Sequence, residues 1–428
     1  MSKIVIMGAG SIVFSRGLIA NIILTEELQG STVALCDIDA EALDLITQLA
    51  KSMARHAGAD VNIESSTDRR ELLPNADYVI QTIAIGGKSA WEKDLDIPKK
   101  YGIIQPVGDS VGPGGISRAF RLLPVVVDIC RDMEKLCPDA WLLNYSNPNS
   151  CVVTAAHQYS KIKVIGLCHG LLGTQHALAN YLGVPFGETR VLAAGVNHLN
   201  WILDFRVGDQ DGLQMVREKM QKGGPENDPF KVTFMLFDIY GAIPAPGDRH
   251  VAEFFPHFLN QAADYGKKYG LGLMRAYGQD QEYWAKIKQD VEEDTNIDQY
   301  LRKSGEEVID IIVTMEGLES KVFDAINLPN YGFVTNLPEG AILEVPAVVG
   351  PFGIRGMSIG ALPSGIASVL SGIIRLQQLT VDAAMTGDRN LAVQAMLADP
   401  MVSSVEIAKA MLDELIEAHA KHLPQFKS

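Results

Sequence analysis

The chain has 428 residues and a formal charge of −15, from 37 Lys plus Arg against 52 Asp plus Glu, a balance that repels phosphate backbones and argues against nucleic acid as a partner. At 47% hydrophobic and 21% charged, with no low-complexity tract, it composes like an ordinary soluble globular protein, and its length predicts two closely joined domains. No apolar stretch is long enough to span a bilayer, so no membrane association is expected. In chain order, apolar runs of strand length stand at Lys3–Met7, Thr32–Cys36, 77–82, Trp141–Asn144 and 163–167, with a more polar candidate at 61–64. Helical spacing falls between them, over 41–54 and over 123–136, where Pro124 suits a first turn. This alternation predicts a Rossmann-like, doubly wound parallel α/β sheet over residues 1–167. Beyond it, 168–428 reads as an α+β domain, with a strand at 201–207 and a helix at 404–419. That last helix has Ile407, Met411, Leu415 and Ile416 on one face, to pack on the domain or on another subunit.

The opening apolar run is too short for a signal peptide and suits a buried first strand. Cys36, Cys130, Cys137, Cys151 and Cys168 are odd in number and lack disulfide-framework spacing, so a cytoplasmic, reducing setting is expected.

Gly8-Ala9-Gly10-Ser11 follows the first strand and opens a helix, where glycines let a dinucleotide pyrophosphate approach backbone N–H groups. Val13 occupies the place of the usual third glycine, and a tight strand-to-helix turn is the plain alternative. Asp37, just after the second strand, is placed to accept from the adenosine ribose and would repel a 2′-phosphate, pointing to NAD rather than NADP. Its plain alternative is a turn or helix-cap carboxylate, since Asp39 and Glu41 follow.

Three further polar segments fall at the carboxyl ends of strands, where ligands of such sheets gather: Ile85-Gly86-Gly87, Asn144-Tyr145-Ser146-Asn147-Pro148 and Cys168-His169-Gly170. Cys168 with His198 would make a soft site for a divalent first-row metal. Equally, Cys168 could be a small buried hydrophobe and His198 a satisfied histidine. Asp109-Ser110-Val111-Gly112-Pro113-Gly114-Gly115, with Arg118 and Arg121 after it, reads as a loop approaching a ligand or as a surface connection. Gly247-Asp248-Arg249-His250, with Glu253, reads as a polar loop entering a helix, or as an Asp cap with exposed charges.

Taken in order, Gly8-Ala9-Gly10-Ser11, Gly112-Pro113-Gly114-Gly115, Asn147-Pro148, Cys168-His169, Gly195-Val196-Asn197-His198 and Leu362-Pro363-Ser364-Gly365 resemble the family-4 glycoside hydrolases over essentially the whole chain. The resemblance implies a lactate/malate dehydrogenase-like fold, NAD and Mn2+ as cofactors, and hydrolysis by a route other than the two-carboxylate one. Hydride would leave C-3 of the sugar for NAD, a base would take the C-2 proton, the glycosidic oxygen would depart, water would add, and hydride would return. On that resemblance Cys168 and His198 hold the metal, Asp248 is the base and His169 the acid. Gly8, Gly10, Ser11, Asp37 and Asn147 hold the cofactor, and Asn147, Arg118, Arg249 and Asp109 meet the substrate. The loop from Tyr240 to Phe254 looks most like the α-galacturonidase branch, with Arg249 or Arg118 for a sugar carboxylate. Trp91 stands where phosphosugar enzymes place an arginine. Gly170 departs from the Glu of the galacturonidase branch, leaving α-glucuronides, α-galactosides and sulfonated sugars open. A 2-hydroxy acid dehydrogenase and a non-catalytic NAD-binding sensor are the rivals of other classes. The family also implies a homodimer or homotetramer acting on a small-molecule glycoside.

Overall fold

The computed structural model describes residues 1–223, 230–272 and 280–427, with the side chains of Ile12, Val13, Asp280 and Gln281 outside the described set. Six strands come first: β1 (Lys3–Met7), β2 (Thr32–Cys36), β3 (Asn62–Ser66), β4 (Tyr78–Gln81), β5 (Trp141–Asn144) and β6 (Lys163–Gly166). They are parallel and lie in the order β3-β2-β1-β4-β5-β6. Ile4 and Ile6 of β1 enter the core on one face of the sheet while Val5 and Met7 enter the core on the other, as period-two alternation in a doubly covered strand requires. The order reverses between β1 and β4, and this opens the crevice at the carboxyl ends of the strands.

The sheet does not stop at β6. β7 (Thr189–Val196), β8 (Leu199–Val207), β9 (Gln210–Asp211), β10 (Ile243–Ala245), β11 (Lys321–Pro329), β12 (Ile342–Gly350) and β13 (Gly353–Gly356) extend it antiparallel, along the path β6-β11-β12-β7-β8-β10. Two joints on that path are a single residue pair long: Asn327 with Gly166, and Glu344 with Gly195.

Two expectations are corrected. The segment 112–115 is no loop: one helix runs Gly112–Leu136, with Pro113 in its first turn and Gly112 to Gly115 buried. A side chain on Gly115 would press the Ser110 carbonyl carbon at 2.6 Å, so glycine here lets the preceding turn lie against the helix start. Pro124 lies inside this helix, where its ring removes the N–H that Phe120 O would receive. Gln425 Nε2 donates to Phe120 O at 2.8 Å instead, so a contact 305 residues away satisfies the orphan.

The helix Val405–Ala418 buries Met411 and Leu415 against the helices Gly87–Lys100 and Arg389–Ala398 of its own chain, which settles where that face packs. Just beyond it, His419 Nε2 lies 3.0 Å from Asp94 Oδ1, and Arg121 makes a two-pronged pair with the same carboxylate at 2.8 and 2.6 Å. All three are buried, so Arg121 is an internal partner rather than an anion receptor. All five cysteines are unpaired, and only Cys168 among them is not fully buried. No helix among the described residues is long and apolar enough to cross a membrane.

Candidate functional site

Gly8 closes the turn after β1 with φ +88°, and the helix Ile12–Ile23 starts behind it with no side-chain cap and no acidic residue in its first turn. That leaves positive N–H dipoles at the crevice, with exposed Ser11 at the N-cap. Asp37 leans onto this turn: its Oδ2 accepts from Gly10 N at 2.7 Å and its Oδ1 from Asp39 N at 2.9 Å. The helix-capping alternative belongs to Asp39, which accepts from Glu41 N and Ala42 N at the start of Ala40–Ala57. The arrangement fits a dinucleotide: an uncapped helix end beside glycine, with a carboxylate at the tip of β2.

The second half of the site comes from three strand ends. Cys168 follows β6, and its sulfur accepts from Gly170 N at 3.3 Å at the start of the helix Gly170–Leu182. His198 sits in the two-residue turn between β7 and β8 in the left-handed region, φ +64°. Its side chain is buried, lies close enough to Cys168 for the two to interact electrostatically, and stands 3.5 Å from Asp109. Burial disfavours the imidazolium, but Cys168 and Asp109 outweigh it and lift the His198 pKa well above the usual range. Asp109 is held correspondingly low: its burial is opposed by His198, with His250 and Arg118 adding to the effect.

Ser110 Oγ donates to Asp109 Oδ1 at 2.7 Å and stands 2.6 Å from His198 Nδ1. A hydroxyl has one proton, so with Asp109 ionised the Nδ1–H of His198 donates to Ser110, and when the imidazolium gives up a proton it is Nε2 that is bared. His250 joins this group. Its ring lies 4.2 Å from that of His198, and one ligand atom each from Asp109, His198 and His250 falls within 4.8 Å of the others. Burial, then repulsion from His198, pushes His250 down to about 3, so it is neutral. Nitrogen and oxygen donors in one part-buried cluster, with the Cys168 sulfur beside it, suit a first-row divalent cation.

The other predicted residues divide. Asn147 Nδ2 donates to Asp109 Oδ2 at 3.0 Å, and Arg118 Nε donates to Asn147 O at 2.9 Å, so the end of β5 is wired to the cluster. His169 is exposed and pairs with Glu306 at 3.0 Å, which raises its pKa and favours the imidazolium. Arg249 is exposed on the short helix Asp248–Val251 and, among the described residues, makes no hydrogen bond to the cluster. Asp248 accepts from Val232 N and Thr233 N at 2.9 and 2.8 Å, capping the helix Lys231–Tyr240 with both oxygens. From that loop it is His250 that turns to the cluster.

Ser110, His250 and Glu306 went unassigned in the sequence reading, because nothing local marks them. Glu253 is another: buried, it accepts from Val107 N at 2.6 Å and Gly108 N at 2.8 Å, anchoring the turn that presents Asp109 and Ser110. The departure at Gly170 has a steric reason: a side chain there would meet Pro246 Cβ at 2.6 Å.

A model described as family 4 glycosyl hydrolase matches residues 3–184, and one described as family 4 glycosyl hydrolase C-terminal domain matches residues 193–402. This chain belongs to the family 4 glycosyl hydrolases. Among curated relatives, the alpha-galactosidase of Bacillus subtilis (strain 168) is 34% identical over 435 aligned residues, covering 100% of both chains. The alpha-galacturonidase of Thermoanaerobacterium saccharolyticum (strain DSM 8691 / JW/SL-YS485) is 32% identical, over 98% of this chain and 96% of that one. Among solved structures, a 6-phospho-alpha-glucosidase from gut microorganisms, in complex with NAD and Mn2+, superposes with a TM-score of 0.83 at 19% identity, over 99% of each chain, and shares the fold. Membership of this family makes the chain a glycosidase and removes the dehydrogenase and the sensor as leading readings.

Proposed function

We propose that this family 4 enzyme hydrolyses an α-linked, non-phosphorylated glycoside, first of all an α-galacturonide, with NAD at the Gly8–Ser11 turn and Mn2+ between Cys168 and His198. The observation that carries the reading is the meeting of Cys168 and His198, from two strand ends, with Asp109, from the turn before the helix Gly112–Leu136, in a chain whose helix after β1 starts uncapped. When bound, the nicotinamide supplies a reversible hydride acceptor for C-3 of the sugar, and the cation a Lewis acid toward the oxygens on C-2 and C-3.

The chain's own residues do the rest. Ser110 fixes the His198 tautomer and so keeps Nε2 available. Asn147, held by Asp109, offers its amide to sugar hydroxyls beside the nicotinamide. His169, kept protonated by Glu306, is the acid for the departing oxygen. For removal of the C-2 proton we favour His250 over Asp248, because His250 faces the cluster while both Asp248 oxygens hold N–H groups. Replacing each in turn and following exchange of the C-2 proton with solvent deuterium separates them: His250→Ala should abolish exchange and Asp248→Asn should retain it. The reverse result would return the role to the carboxylate.

For the uronate, Arg118 lies next to Asn147 and is the cation nearest the substrate side, whereas Arg249 points to solvent. Trp91, whose Nε1 donates to Val107 O at 2.8 Å, offers no cation for a C-6 phosphate. The similarity to an alpha-galactosidase supports a second substrate, an α-galactoside handled by the same chemistry. The deciding assay offers nitrophenyl α-galacturonide, α-glucuronide and α-galactoside with NAD, Mn2+ and a thiol reductant. Sugar release without net NADH, fastest for the galacturonide, is expected; stoichiometric NADH would overturn the hydrolytic mechanism. Unpaired Cys168 suits a reducing cytoplasm, and light scattering would test the proposed homodimer or homotetramer.

A further inference from the structure

Glu344 is 2% exposed, and three neutral side-chain amides satisfy it where a cation would be the usual partner of a buried carboxylate. Asn200 Nδ2 donates to Oε1 at 2.9 Å, and Asn197 Nδ2 and Asn327 Nδ2 donate to Oε2 at 3.1 and 2.9 Å. All three asparagines are themselves buried.

Their places in the fold give the cluster its meaning. Asn197 and Asn200 bracket His198, whose left-handed backbone is strained for a residue with a Cβ and needs support. Asn327 pairs with Gly166, the last residue of β6 and two before Cys168, and its amide also reaches Gly166 O at 3.4 Å. Glu344 itself pairs with Gly195 of β7. On the path from β6 to β7, the β6–β11 and β12–β7 joints are therefore one pair each, and the side chains of Asn327 and Glu344 stand at them. Asn149 braces the same stretch, donating to Leu167 O at 3.0 Å, immediately before Cys168.

We infer that Glu344 is a positioning residue that fixes the separation of Cys168 from His198: through Asn197, Asn200 and Asn327 its carboxylate links the turn carrying the imidazole to the end of the strand before the sulfur, at joints where the main chain supplies one residue pair each. This rests on the proposed role of Cys168 and His198 as the cation pair. Glu344 touches neither cation nor sugar. Glu344→Gln keeps the volume but sets an amide donor against amide donors, so the separation loosens while the dinucleotide turn, on β1 and β2, is untouched.

The test is Mn2+ binding to the full-length, NAD-loaded protein by calorimetry or electron paramagnetic resonance, with NAD affinity measured alongside by fluorescence. For Glu344→Gln we expect Mn2+ affinity to fall about 10- to 100-fold, as for lost outer partners of metal ligands, with NAD affinity unchanged within about twofold. Asn327→Ala, which removes one of the three amides, should show the same pattern at about tenfold, and decides the matter if the first variant does not fold. Folded variants that bind Mn2+ as wild type does would overturn the inference and leave the functional reading standing. So would a parallel loss of Mn2+ and NAD affinity, which marks general destabilisation. A wild-type protein that binds no Mn2+, or a Cys168→Ser protein that binds it equally well, would overturn both.

Discussion

The crevice has two walls of different construction. On the dinucleotide side, each neighbouring pair of strands from β1 to β6 is joined by four or five consecutive residue pairs, and the turn after β1 is shaped by main chain and glycine. On the cation side, His198 hangs from a two-residue turn whose strands reach the rest of the sheet through single pairs, with buried side-chain amides completing the junction. A wall built by backbone responds to sterics, and a wall built by side-chain hydrogen bonds responds to loss of one donor or acceptor.

The largest break in that contrast should come from the cation ligands. Cys168→Ala or His198→Ala should lower kcat/KM by roughly 10²- to 10³-fold, the loss of several kcal/mol of Lewis-acid stabilisation, while NAD titration stays unchanged. A matching fall in NAD affinity would show that the walls are not separate. Gly10→Ala tests the other wall, since its Cβ would stand 2.8 Å from Asp37 Oδ2. Overpacking of that kind costs about 1–3 kcal/mol, so NAD affinity should fall roughly 5- to 150-fold with Mn2+ affinity intact.

Smaller effects sharpen the picture. Gln425→Ala leaves Phe120 O without a partner opposite Pro124; it should cost about 1 kcal/mol and lower Tm by roughly 2 °C in calorimetry, without altering turnover. The smallest effect is a pH shift. Glu306 raises the His169 pKa, so the stability this pair adds is complete below the ordinary histidine value and is lost as pH climbs through the raised one. Activity that needs protonated His169 should fall over that same alkaline span, and Glu306→Gln should move the limb of the pH–rate profile to lower pH.

The sequence on its own determined the parallel half of the molecule. Lys3–Met7, Thr32–Cys36 and Trp141–Asn144 are strands with those bounds, because apolar runs of that length between polar turns have few other ways to bury both faces. It also singled out Cys168, His198, Asp109 and Asn147, residue types whose chemistry shows even without coordinates, and these prove to be one connected group. Tertiary structure decided what depends on contacts distant in sequence. The helix through Pro124 persists because Gln425 reaches Phe120, and Asp248 caps a helix through the N–H of Thr233, 15 residues before it. His250 and Ser110 complete the cluster because elements brought together by the sheet place them there, and Glu344 joins two strands that share no local pattern. Local periodicity encodes the burial of each element, whereas hydrogen-bond partners 15 to 305 residues apart exist only after the chain has folded.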